Sequence, residues 1–406
     1  MNIIKKMGPG LLFAGAAIGV SHLVQSTTAG ANYGLTLVIA VILANVLKFP
    51  IFEFAVRYAN VKQESLIEGY RRLGKWAIIL FGIITLGTMF GIQAAVTVVT
   101  AGLFEEVTGW GNSTVWSIII LVVCGLILGI GKYKFLDTLI KYIIVVLSLT
   151  TIIAVTVALI ENPLPGWGSF SFSNEIHIAF LLSLVGWMPA PFDLSVWQSM
   201  WVVEKLKLGK GKISLRDSLF DFNTGYWATM FLAMGFLLLG ALILFGSEEK
   251  VSPVGAVFAR QVIGIFTKNL GDWAYPIVGL AAITTMVSTV ITCLDAFPRV
   301  LTTLRKEPFR HPVLKGRNGY WFFMILVSVG AVIFISYLTS TMGQMVKIAT
   351  IISFLTAPII AVMNYMLVFR KDFPVEHRPN LFMKYLSWVG IFFLTGFGVY
   401  YLYMLI

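Results

Sequence analysis

An all-α integral membrane bundle is the fold class this sequence predicts, on three observations. Of 406 residues, 58% are hydrophobic and only 12% charged, outside the range of soluble globular proteins. The charged residues leave ten charge-poor runs, most near the ~20 residues that cross hydrocarbon and the first long enough for two crossings, which makes eleven spans. One of these runs, Ile176–Val203, contains Gly186-Trp187-Met188-Pro189-Ala190-Pro191-Phe192-Asp193. Two prolines one residue apart cannot both sit inside a regular helix, so this run reads as two half-helices joined by opened backbone. In hydrocarbon such a break survives only where its freed backbone groups face protein or a water-filled cavity. A carboxylate beside it, Asp193, is a candidate functional group by default. The plainer alternative is a proline kink whose Asp193 caps the second half-helix.

Along the chain, Met7–Leu47 carries no Asp, Glu, Lys or Arg and is long enough for two crossings, with Gly30-Ala31-Asn32-Tyr33-Gly34 as the turn. Met1–Gly10 has Lys5 and Lys6 but no small-residue cleavage site after them, so it reads as the approach to a retained first span. The second span runs to about Val56, where Glu53 and Arg57 stand four apart as a pairable couple. The remaining runs are Trp76–Phe104, Val107–Gly131, Tyr142–Ile160, Ile176–Val203, Phe222–Ser247, Trp273–Leu294, Asn318–Val346, Ile348–Phe369 and Tyr385–Ile406. The turn before the tenth span is expected near Ser340–Gly343, which puts Lys347 just inside that span, able to snorkel. Val251–Asp272 is too polar to cross. Val254, Val257, Phe258, Val262, Ile265 and Phe266 recur there at helical spacing, as in an amphipathic helix lying on the protein or membrane surface. The Gly125-xxx-Gly129 pair reads as a helix-packing face, inside the bundle or between copies.

Most of the 30 Lys and Arg fall before span 1 or in every second connection: Lys5 and Lys6; Arg57 to Lys75; Lys132, Lys134 and Lys141; Lys205 to Arg216; Arg299 to Arg317; Arg370 to Lys384. The other connections are short or acidic, among them Glu105-Glu106, Glu161–Glu175 and Ser247–Lys250. By the positive-inside rule the N-terminus is cytoplasmic and the C-terminus extracytoplasmic in the plasma membrane. The net charge of +11 is then loop charge facing anionic lipid, and it calls for no nucleic acid. Cys124 and Cys293 lie in apolar runs without metal-ligand spacing. Four histidines without HExxH spacing, and no nucleophile–base constellation, exclude the common enzyme classes. No cofactor is implied.

Spans 1 and 6 share a peculiarity. Span 1 carries Gly15-Ala16-Ala17-Ile18-Gly19-Val20-Ser21-His22 and then Gln25, Ser26, Thr27 and Thr28, a glycine-interrupted helix with polar groups at its centre. Interruptions five spans apart fit an inverted repeat with a central site, as in secondary transporters. The chain then reads as a single transporter domain over residues 1–406, with repeat one at about 8–160, repeat two at about 176–370, and an appended helix 11 at about 385–406.

On these residues the chain resembles the NRAMP divalent-metal transporters, whose fold is the LeuT-type pair of inverted five-helix repeats with broken helices 1 and 6. Gly8-Pro9-Gly10-Leu11-Leu12 is similar to that family's opening, Ala29-Gly30-x-x-Tyr33-Gly34 to the end of its first span, Phe54–Arg72 to its loop after span 2, and Met188-Pro189 to the Met-Pro of its sixth helix. The resemblance implies metal uptake, coupled to protons, by alternation between inward-open and outward-open states. Four positions depart from it. The family's Asp-Pro-Gly-Asn motif falls on Gly19-Val20-Ser21-His22, and its Met-Pro-His on Met188-Pro189-Ala190. Its acidic pair in helix 3 has no counterpart, and a Gln of helix 10 falls on Thr356.

His22 and Asp193 are the titratable side chains near the two breaks. With Met188 and opened-backbone carbonyls they could ligate Mn²⁺ or Fe²⁺, or form a proton-coupling pair. Otherwise His22 is a satisfied bundle histidine bonded to Ser195 or Gln198, and Asp193 a cap or a partner for Lys347. The substrate-binding set on this reading is Gly19, His22, Met188, Ala190, Asp193 and Thr356, with Thr284, Thr285, Ser288 and Thr289 of span 8 as further lining. The rival cargo is a small organic solute, amino-acid-like or anionic, greeted by half-helix N-termini in a pocket around Trp187, Phe192 and Trp197. The expected partners are the transported ion or solute and the lipid bilayer.

Overall fold

The computed structural model describes residues 8–130, 133–208, 213–304, 316–338 and 341–406. Lys5, Lys6, Lys132, Lys210, Lys212, Arg305, Lys306, Arg310 and Lys315, part of the basic-loop pattern, lie outside them, as do the side chains of Lys134 and Lys141.

The described chain is helical almost throughout. In order come α1 (Pro9–Ala17), a π-helical turn (Ser21–Ser26), α2 (Thr27–Tyr33), α3 (Val38–Lys62), α4 (Leu66–Leu73), α5 (Lys75–Thr108), α6 (Ser113–Ile130) and α7 (Tyr133–Glu161). Next are α8 (Glu175–Trp187), α9 (Asp193–Leu208), α10 (Leu215–Ile243), α11 (Gly255–Leu270), α12 (Ala274–Leu304), α13 (Gly316–Ile333), α14 (Met342–Val368) and α15 (Leu381–Met404). Among the described residues seven helices are long and apolar enough to cross a membrane, or eight if α1 and the segment Ser21–Tyr33, bent by 50°, count as one span. Ser113–Gly129, Val145–Glu161 and α8 are apolar but shorter.

Burial is inverted relative to a soluble protein. Leu280, Phe231, Leu126, Ile152 and Phe392 stand exposed on the perimeter, while Lys48, Glu53, Asp193, His22 and Gln198 lie inside. An apolar perimeter of this extent is lipid-facing surface. Buried polar groups of this kind must be bonded within the bundle.

Elements end where their sequences say. Ser65 and Glu68 form a capping box at the start of α4. Asn174 and Asn380 cap α8 and α15 through their side chains. The expected turn at Gly30–Gly34 lies slightly later, because α2 continues to Tyr33 and Gly34, at φ +55°, ends it in a conformation that favours glycine. The surface helix is α11. Its Phe258, Val262, Ile265 and Phe266 are buried against the bundle, whereas Val254 and Val257 face outward. Gly129 lies against Trp321 and Gly125 near Met324, so that glycine pair packs α6 onto α13 within the bundle.

The connections gather by parity. At one end Arg57 donates to His377 O at 2.8 Å, Arg71 to Thr303 O, Arg370 to Arg72 O, and Arg299 pairs with Glu204 at 2.9 Å. At the other, Gly168 N donates to Tyr33 O (3.1 Å), Arg260 pairs with Glu106 (2.9 Å), Gly343 N donates to Pro253 O (3.1 Å) and Tyr400 to Phe172 O (2.9 Å). The alternation of basic and non-basic loops is thus an alternation between two ends of the bundle.

Glu53 and Arg57 pair as their spacing predicts, with Arg57 Nε donating to both carboxylate oxygens at 3.1 and 3.0 Å in a largely buried setting. Removing one partner strands the other charge, so Glu53→Ala should cost about 3 kcal/mol. Its thermal unfolding in detergent should fall clearly below wild type, and Glu53→Met/Arg57→Met should recover most of the loss.

Candidate functional site

The two breaks meet at the centre. Span 1 leaves helical geometry at Ile18, whose N–H still bonds Ala14 O at 2.8 Å, and resumes as a π-helical turn. Ser26 Oγ adds a side-chain bond across the widened turn, donating to Ser21 O at 3.1 Å. Span 6 breaks between α8 and α9, where Leu194 N and Ser195 N start the second half by donating to Pro191 O (3.1 Å) and Phe192 O (2.9 Å). Prolines 189 and 191 supply no N–H, so carbonyls at the end of α8 need donors from elsewhere.

Between the breaks lies a cavity of about 30 Å³ whose walls include Gly19, Ser21, Trp187, Ala190, Thr289 and Cys293. That is room for about two waters or one ion. Its donors are hydroxyls, one thiol and backbone carbonyls. Thr289 Oγ1 reaches Ile18 O and Ser288 Oγ reaches Gly15 O, each at 3.4 Å, so span 8 hydroxyls serve the opened backbone of span 1. Thr284 is half-buried and bonds back to Leu280 O (2.7 Å). Thr285 is buried with an unpaired hydroxyl.

Of the residues the sequence puts in the site, Gly19 and Ala190 line this cavity and the other four do not. His22 is turned away. Its Nε2 donates to Thr229 O of α10 at 3.0 Å and its Nδ1 meets Ser21 Oγ at 2.8 Å, which occupies both ring nitrogens. The expected partners Ser195 and Gln198 are elsewhere, Ser195 donating to Phe192 O at 2.7 Å. Thr356 bonds back to Ile352 O (3.0 Å) on its own helix. Met188 is fully buried at the end of α8. Asp193 is buried in the first turn of α9, where the helix dipole favours a carboxylate, and its side chain is hydrogen-bonded to Thr88. Lys347 is remote from it, bordering a second cavity of about 220 Å³ with Gln25, Thr28, Ser183 and Ser252. Among the described residues no three His, Cys, Asp or Glu side chains converge on a metal-sized site.

Several groups at the centre were not singled out in the sequence. Lys48 of α3 is 1% exposed, and its ammonium donates to Val185 O (2.6 Å), Gly186 O (2.9 Å) and Ala190 O (3.4 Å) at the break of span 6. The signal was present, a lone lysine within an apolar span, but it read as the end of one charge-free run. Cys293, which lies in an apolar run without metal-ligand spacing, is in the cavity wall. Ser353, not Thr356, is the span 10 residue that meets the break, accepting from Trp187 Nε1 at 2.9 Å. Above it Gln25 donates to Ser183 (2.8 Å) and Ser183 bonds Thr350 (2.5 Å), closing the layer between the small and large cavities. On the opposite side Tyr70 donates to Asn364 (2.5 Å) and Asn364 to Ser195 (3.1 Å).

A bundle with two broken helices apposed at one depth defines a secondary-transporter architecture. Solved structures agree on the fold. The chain is similar to the manganese transporter of Eremococcus coleocola, with 15% identity, TM-score 0.69 and coverage of 98% of this chain and 86% of that one. It is also similar to Mhp1, a nucleobase-cation-symport-1 family transporter solved in a closed conformation with bromovinylhydantoin bound (16% identity, TM-score 0.57, covering 98% and 90%). The chain belongs to the Nramp family, "natural resistance-associated macrophage protein-like", whose model matches residues 10–404. An uncharacterized protein of Pasteurella multocida is 36% identical over 400 residues, 96% of this chain and 90% of that protein. Family membership makes the chain a multi-pass membrane transporter and not an enzyme.

Gly19 occupies the position where the NRAMP resemblance puts the first-helix carboxylate, and a Cβ there would lie 2.8 Å from Thr289 Oγ1. Gly19→Ala should therefore cost about 1–3 kcal/mol by overpacking. Thermal unfolding should record the loss, and Gly19→Ala/Thr289→Ala should reverse most of it.

Proposed function

We propose that this protein is a secondary active transporter of a divalent metal cation, working across the plasma membrane by alternating access and coupled to a co-transported ion such as the proton. The observation that carries this reading is the cavity of about 30 Å³ at the junction of the two breaks, sized for an ion. Pockets for organic solutes typically run to ~300 Å³ or more. Trp187 and Trp197 do line the cavity, but Phe192 does not, so the wide aromatic pocket an organic solute needs is not formed. The metal site on this reading is an altered one. Cys293, Thr289 and the opened backbone at Gly19 and Ala190 face the ion, Met188 stands behind Ala190, and Asp193 supplies counter-charge from the start of α9. His22 takes a structural part through Thr229.

The eleven spans on this reading are α1 with Ser21–Tyr33, α3, α5, α6, α7, α8 with α9, α10, α12, α13, α14 and α15. The first ten form two inverted repeats of five. The basic loops place the N-terminus in the cytoplasm and the C-terminus outside. The larger cavity then opens toward the exterior, and the Tyr70–Asn364–Ser195 chain closes the path inward.

A second reading has one specific observation in its favour. Lys48 puts a basic amine behind the cavity wall, and among the described residues no carboxylate side chain lines that cavity. Such a site suits a small anion or a solute bearing a carboxylate.

Isothermal titration of the purified protein with Mn²⁺ separates the two. Wild type should bind, Asp193→Asn and Cys293→Ala should each weaken binding about tenfold or more (~1.4 kcal/mol), and His22→Asn should leave it within a few-fold. Absence of binding to Mn²⁺, Fe²⁺ and Mg²⁺ by folded wild type overturns the metal reading in favour of the anionic solute.

A further inference from the structure

The end of α8 poses a problem in backbone chemistry. The last carbonyls of any helix lack intrahelical donors and carry the negative end of the helix dipole. An unbroken helix would satisfy Val185 O with the N–H of residue 189 and Gly186 O with that of residue 190. Pro189 has no N–H to give, and the chain has left helical geometry by Ala190. Met188 N reaches Val185 O only at 3.3 Å. In hydrocarbon each carbonyl left over costs several kcal/mol.

Lys48 resolves this from a different span. Its Nζ lies 2.6, 2.9 and 3.4 Å from the oxygens of Val185, Gly186 and Ala190, and 5.3 Å from the centre of the Phe192 ring. Three carbonyl oxygens at a helix C-terminus plus an aromatic face are a shell for a monovalent cation. Among the described residues no carboxylate lies within ion-pair distance of that ammonium; Glu53, on the same helix, is held by Arg57. The charge is therefore balanced by backbone dipoles alone, as a bound inorganic ion's would be.

We propose that the carbonyl oxygens of Val185, Gly186 and Ala190, together with the Phe192 ring, form a monovalent-cation site that the chain fills with its own Lys48 ammonium. The site needs no free Na⁺ or K⁺. It adjoins the cargo cavity, sharing Ala190 with that cavity's wall, and it stands whether the cargo is a metal or an anion.

The test is cation-specific rescue. Wild type, Lys48→Ala and Lys48→Met are melted in detergent with choline chloride, then with the chlorides of Na⁺, K⁺, ammonium, methylammonium and tetramethylammonium. Wild type should melt at one temperature in every salt. Lys48→Ala opens the slot. It should melt several degrees lower in choline and regain at least half of the loss in a small cation at about 100 mM, as mass action requires of a ligand that binds only the folded state. Tetramethylammonium, too large for the slot, should restore nothing. Lys48→Met fills the slot with an uncharged chain and should be destabilised without rescue. The proposal is overturned if Lys48→Ala responds to salt as wild type does, if tetramethylammonium or the Met variant gives equal recovery, or if Na⁺ or K⁺ stabilises wild type itself. Should Lys48→Ala be too unstable to purify, its folded fraction in freshly solubilised membranes is read by size exclusion in each salt. Recovery confined to the small cations supports the site, and equal loss in all of them overturns it.

Discussion

Opening a helix inside hydrocarbon strands polar backbone groups that water would satisfy elsewhere, and the centre of this protein is arranged around meeting that demand. Span 1 is served by hydroxyls, with Ser288 and Thr289 reaching across from α12. Span 6 is served by a charge, because proline removes donors where the carbonyls cluster and only a long flexible side chain arrives from α3. Two breaks of similar form are thus stabilised by opposite means, neutral donors at one and an ammonium at the other. The cavity between them inherits that asymmetry.

The same accounting explains why histidine is not where a ligand would stand. A π-helical turn adds a residue per turn relative to its neighbours and rotates the side chains beyond it about the helix axis. His22, near the start of that turn, lies against α10, where Thr229 O accepts its Nε2–H. Once both nitrogens are bonded in a buried setting, pulling the ring toward the cavity would orphan a carbonyl and a hydroxyl together. Gly19, by contrast, faces the cavity with nothing to offer but backbone, and Thr289 fills the space a side chain would need.

Much of the architecture was legible in the sequence because hydrocarbon imposes a coarse rule on it: charge-poor runs mark helices, loop charge marks an end of the bundle, and paired prolines mark a break. The Glu53–Arg57 couple was legible too, since both members lie on one helix with fixed spacing. What escaped were relations set by helix rotation and by distance across the bundle. Lys48 and Val185 are 137 positions apart. Hydropathy registers a lone lysine only as the end of an apolar run and says nothing of what its ammonium touches. Ser353 and Thr356, three residues apart on α14, could not be told apart by content; only the structure decides which one meets Trp187. Cys293 reads only as part of an apolar run for the same reason.

α10 runs beside span 1 with its backbone almost in contact. A Cβ at Gly225 would fall 2.1 Å from Gly10 O, and one at Gly240 would fall 2.2 Å from Thr27 O. These two contacts lie on either side of the break at Ile18, and Asp221 of the same helix holds the amides of Gly8 and Gly10 at 3.0–3.1 Å. One unbroken helix therefore splints both halves of the first span. The halves of span 6 are held differently: α8 leans mainly on α14 and α9 on α3, and α3 joins the two through Lys48. Of the two joints at the centre, then, the first lies along one continuous rail, while the second is a seam between different neighbours that a single side chain of α3 stitches together.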